Sequence, residues 1–101
     1  MKTYFYYLRD EKRAPVVTIC LKVTDTEIAR GVAMVNTVMD FPNKKVGRQI
    51  AEGRAIKAMV RKSNALPLRG GAGWKSEYMP DESHLLPLEA KLVETARQEA
   101  N

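Results

Sequence analysis

Lys44, Lys45 and Arg48 follow Asn43 at the start of a helical pattern. Asparagine caps helices well, and Pro42 before it marks the boundary. Lysines oppose the helix dipole in a first turn, where acids are favoured. They suit an anion, on which exposed N–H groups, the dipole and both ammonium groups would converge. Arg48, one turn on, can hold a phosphate bidentately. The plain alternative is that both lysines are fully solvated and cost only about a few tenths of a kcal/mol. Arg54, Lys57 and Arg61 recur at i, i+3 and i+7 on one helical face. Arg69 opens the run RGGAGWK, of the glycine-rich kind that contacts nucleic acid, without the GK[ST] ending of a P-loop. Arg30 shares an apolar strand face with Ile28, Val32 and Met34, as a snorkelling edge residue or as a ligand contact. The candidate ligand-binding set is therefore Arg30, Asn43, Lys44, Lys45, Arg48, Arg54, Lys57 and Arg69. Trp74, Phe41 or an N-terminal tyrosine could stack on a base or pack in the core.

Charge is strongly blocked along the chain. Residues 44–75 hold nine basic side chains against Glu52 alone, whereas residues 76–101 hold Lys91 and Arg97 against six acids. Such a middle segment focuses a positive potential suited to an anionic partner, unless the acidic tail folds back on it within the chain or across a dimer. No catalytic set emerges. His84 stands without a nucleophile or acid partner, Asp81 and Glu82 read as a helix cap, and Cys20 reads as an inert strand residue. One cysteine and one histidine cannot build a disulfide framework or the usual zinc site, so no metal and no cofactor is expected. The chain shows no signal-peptide pattern and no run of about 18 apolar residues, so no membrane span is expected.

The 101 residues, at 11.4 kDa, suit one domain. Alternation predicts strands at 3–9, 16–23 and 27–36, joined by the turns Asp10–Arg13 and Thr24–Thr26. In the second strand Val17, Ile19, Leu21 and Val23 point one way, and Val16, Thr18, Cys20 and Lys22 the other. A helix follows over 44–62. It carries an apolar stripe (Val46, Ile50, Ile56 or Lys57, Val60) and, beside it, a small-residue stripe (Gly47, Ala51, Ala55, Ala58) that suits a helix–helix or dimer seam. Gly53 marks a kink or a close contact. Residues 63–83 read as an irregular connection rich in glycine and proline. A last helix over 86–99 tolerates Pro87 in its first turn and presents Leu85, Leu88, Leu92 and Ala96 on one face. The expected class is α+β: an antiparallel meander of three or more strands, a long basic helix and a C-terminal helix.

The hairpin YFYYLRD…PVVTICLKV, then ARGVAMVN, then NKKVGRQIAEGRAIKAM, resembles small proteins encoded by phages and prophages of Gram-positive bacteria. The resemblance spans roughly residues 4–62, and NKK-x-GR-x-IA-x-GRA-x-KA is its most specific part. Within that setting the sheet and basic helices look like the Thoeris anti-defence proteins, oligomeric sponges that capture cyclic nucleotide signals without degrading them. The resemblance implies a homo-oligomer in the cytoplasm of an infected bacterial cell, sequestering an anionic nucleotide without turnover. Nucleic-acid binding is the alternative, and blocking a defence effector by protein–protein contact, as an anti-CRISPR does, is a third.

Overall fold

The computed structural model describes residues 1–9, 15–34, 44–67, 73–80 and 85–99. Strands β1 (Lys2–Arg9), β2 (Pro15–Val23) and β3 (Ile28–Met34) form the expected antiparallel meander. The β2–β3 turn is held by the Glu27 N–H, which donates to Thr24 Oγ1 at 2.9 Å, and the Thr24 N–H, which donates to the Glu27 carbonyl at 2.9 Å. Helix α1 runs Lys44–Arg61 and ends where Lys62 turns left-handed, at φ 51°. Positions 35 and 36 of the expected third strand lie outside the described residues.

The connection expected over 63–83 contains two strands instead, β4 (Ala65–Pro67) and β5 (Trp74–Met79). They complete a five-stranded sheet in the order β1-β2-β3-β5-β4. β5 pairs with the free edge of β3, Ile28 opposite Met79 and Arg30 opposite Glu77. β4 is three residues long, with Leu66 at φ 60° before Pro67, so little in its own sequence favours a strand. Pairing with β5 makes it one. Helix α2 (Pro87–Glu99) closes the fold, with proline at its first helical position.

The two helices lie on opposite faces of the sheet. Cys20 and Ala33 pack with Ala51 and Ala55 of α1, whereas Leu21, Val23, Ile28 and Met79 pack with Val93 and Ala96 of α2. Alternation along β2 separates these two sets, as its sequence pattern requires. The small stripe of α1 thus faces the sheet rather than another helix, and Gly47, Ala51, Ala55 and Ala58 are all buried. Val46, Ile50, Ile56 and Val60 face outward. The reason is Gly31. A Cβ there would stand 1.9 Å from the Ala51 carbonyl oxygen, so the helix backbone rests directly on β3. Only a helix face without bulk approaches that closely.

Candidate functional site

Of the candidate ligand set, Lys44, Lys45 and Arg48 come together at the start of α1 and are exposed, and that first turn holds no acid. The Lys44 ammonium sits 5.0 Å from the centre of the Tyr7 ring, which anchors the helix start to β1. Lys57 and Arg61 are exposed further along. Arg54 turns toward the sheet and donates to the Val32 carbonyl at 2.6 Å, so its guanidinium fastens α1 to β3. Asn43 and Arg69 lie outside the described residues, as do Phe41, Asp81, Glu82 and His84.

Arg30 is elsewhere. It lies on the α2 face, where its Nε donates to Glu89 Oε2 at 2.7 Å, its Nη2 to Glu89 Oε1, and its Nη1 to Glu77 Oε2 at 2.9 Å. Tyr6 adds its hydroxyl to Glu89 Oε2 at 2.8 Å. Glu89 also accepts from the Leu86 N–H at 3.0 Å, reaching back from the third helical position to cap its own helix. Burial pushes the Glu89 carboxyl up, but Arg30, the Leu86 N–H and Tyr6 together outweigh it and hold the carboxyl below its usual range. Burial and the bond to Glu89 push the Tyr6 phenol well above its ordinary value. Arg30 is thus held by protein carboxylates on the sheet face opposite the α1 lysines, and it shares no site with them.

The sequence pointed to an arginine on an apolar face, as a snorkelling edge residue or a ligand contact, and the structure makes it instead the largely buried partner of two carboxylates. The sequence did not point to Glu89, 59 residues away, because the expected α2 face ran through Leu88, which is exposed. Beside this cluster, Ile19 and Val32 floor a concavity of about 630 Å³, rimmed by Leu8, Met34, Trp74 and Leu86. Among the described residues its polar groups are Tyr6, Asn64 and the Arg30–Glu77 pair.

Cys20 is fully buried, and burial raises its thiol to about 11 despite nearby Lys22. A thiol reagent at pH 8 should therefore leave the native protein unlabelled and modify it only on unfolding. Prompt labelling would show that β2 opens readily. Among the described residues no group of three or more His, Cys, Asp and Glu side chains could hold a metal ion, and no helix is long and apolar enough to cross a membrane.

No family model, curated protein or solved structure matches this chain.

Proposed function

We propose that the protein binds a phosphate-bearing anionic partner along α1 and holds it without chemical change. The observation that carries this reading is the separation of charge across the sheet. Helix α1 carries six basic residues and Glu52. Glu52 pairs with Lys22 at 3.1 Å. The acids of α2 engage on the other side, Glu89 with Arg30 and Glu99 with Lys2 at 3.0 Å. The ion pairs of the acidic helix with Arg30 and Lys2 thus lie on the sheet face away from α1, whose Lys44, Arg48, Lys57 and Arg61 are exposed.

The exposed cations are strung along one helix, Lys44, Lys45 and Arg48 at its start and Lys57 and Arg61 further on. Such a row suits an extended phosphodiester chain, a nucleic-acid backbone. A second reading, capture of a cyclic nucleotide signal as an anti-defence function, is favoured by one contact. Lys44 stands over the Tyr7 ring, so an aromatic side chain and the cations that would hold a phosphate meet at one place.

Fluorescence anisotropy with labelled single-stranded DNA, duplex DNA and a cyclic dinucleotide separates these readings. Binding to DNA should weaken steeply as salt rises, by about 0.9 in log–log slope per phosphate contact on duplex DNA. Replacing Lys44, Lys45 and Arg48 by alanine should weaken binding at least about tenfold and flatten that slope by about two to three, with an unchanged circular dichroism spectrum. Undiminished binding by the folded triple variant would remove the helix start from the site. A salt-insensitive signal with the cyclic dinucleotide alone would establish the second reading.

A further inference from the structure

We infer that the open half of the sheet face beside α2 binds an uncharged, flat ring system that presents an N–H or O–H donor. Helix α2 packs on Leu21, Val23, Ile28 and Met79 of this face. Arg30 and Glu77, opposite each other on β3 and β5, mark where that cover stops. Beyond them, among the described residues, two cross-strand rows continue over β1, β2 and β3: Tyr6, Ile19 and Val32, then Leu8, Val17 and Met34. An antiparallel sheet that meets only water on one side carries polar side chains there. Here five of the six are apolar and the sixth is a tyrosine. The same six residues line the concavity, between Leu86 ahead of α2 and Trp74 at the start of β5.

Size and charge identify the occupant. Three strands about 4.8 Å apart, and two residues along each, give a floor of about 10 Å by about 7 Å. That footprint matches two fused rings with a short substituent, whereas a docked helix, about 10–12 Å across with its side chains, would overhang it. The volume lies within the range of small-molecule sites, which are apolar with a few placed polar groups. The polar edge supplies acceptors. Tyr6 gives its hydroxyl hydrogen to Glu89, so its oxygen can receive one, and the Glu77 carboxylate lines the same hollow. Two carboxylates, Glu77 and Glu89, meet the single guanidinium of Arg30 at this edge, so a further anion is repelled. The site is therefore distinct in place and in chemistry from the cations of α1.

Trp74 is the only tryptophan of the chain, so the rim carries its own reporter. The full chain is titrated with N-phenyl-1-naphthylamine, an uncharged fused-ring amine with one N–H. A parallel titration uses 1-anilinonaphthalene-8-sulfonate, the same skeleton bearing a sulfonate. The uncharged dye should bind saturably, at about one per chain, and quench Trp74 emission as its own emission rises. It should bind at least about tenfold tighter than the sulfonate, although attraction to a net charge of +5 would give the opposite order.

Leu8 and Met34, 54% and 53% exposed, end the outer row. Leu8→Glu and Met34→Glu should each weaken binding of the uncharged dye at least about tenfold, because a carboxylate then stands in the apolar floor. Circular dichroism checks that each is folded, and either one suffices if the other is not. Ile56→Glu, on the outward side of α1, should bind the dye as the parent does. The absence of a saturable signal up to the solubility limit of the uncharged dye overturns the inference, as does tighter binding of the sulfonate. Binding that survives in folded Leu8→Glu and Met34→Glu but is lost in Ile56→Glu puts the dye on α1 and overturns it as well.

Discussion

Replacing Arg30 by methionine should cost about 3–5 kcal/mol at pH 7, the range for stranding one member of a buried ion pair. Glu89 is fully buried and would keep only the Tyr6 hydroxyl and the Leu86 N–H. Against a total stability of about 5–15 kcal/mol, such a loss would lower the melting temperature by on the order of 20 °C. The pH dependence gives the cause away. In the native chain the Glu89 carboxyl is held below its usual range, so its contribution is present above the ordinary carboxyl pKa and is lost as pH falls through the lower folded value. In Arg30→Met the burial that Arg30 had outweighed should push the same carboxyl up. The folded variant then binds the extra proton, and its stability rises as pH falls toward about 5. Urea unfolding at both pH values should therefore show the gap between variant and parent narrowing on acidification. A constant gap would mean that lost packing, and not the stranded carboxylate, carries the cost. The double variant Arg30→Met/Glu89→Leu should recover part of the loss, because it removes the buried charge together with its partner.

Gly31→Ala should be at least as damaging as ordinary overpacking, about 3 kcal/mol or more. The new methyl group would meet the Ala51 carbonyl oxygen at 1.9 Å and the Ala55 nitrogen at 2.5 Å, both backbone atoms of α1. No rotamer change relieves that contact; the whole helix must lift off β3. The other two helix-facing or helical glycines make the comparison sharp. At Gly47 the obstacle is the Thr18 hydroxyl at 2.6 Å, the end of a side chain that can rotate, so Gly47→Ala should cost less. At Gly53 there is no obstacle, and Gly53→Ala should stabilise the folded monomer by up to about 1 kcal/mol. Thermal melts of the three variants should rank them in that order. A Gly31→Ala protein that melts within a few degrees of the parent would show that α1 does not rest on β3 as described.

The three-stranded meander was legible because β2 alternates and short polar turns separate the strands. Ile19, Leu21 and Val23 lie on the face of α2 and the concavity, and Thr18, Cys20 and Lys22 on the face of α1. The cations at the start of α1 were legible too, since exposed residues keep the arrangement that local spacing dictates. Strands β4 and β5 were not. Their pairing partners are β3 and each other, and a three-residue strand ending in proline carries no alternation to read.

Two choices belonged to the tertiary structure alone. Both stripes of α1 have helical period, and hydrophobicity favours burying the one with valine and isoleucine. The fold buries glycine and alanine instead, because Gly31 lets the helix backbone touch the sheet and leaves no room for bulk. Likewise the sequence announced an arginine on an apolar face, but any of several acids could have neutralised it. Glu89 does so because α2 crosses that face with its first turn over β3, and the acidic helix is thereby spent on Arg30 rather than on the lysines of α1. Composition and periodicity determined the elements and the surplus of positive charge. Only the packing of one helix on each side of the sheet decided that Glu89 and Glu99 would pair with Arg30 and Lys2 on the face away from α1, since the sheet stands between the two helices.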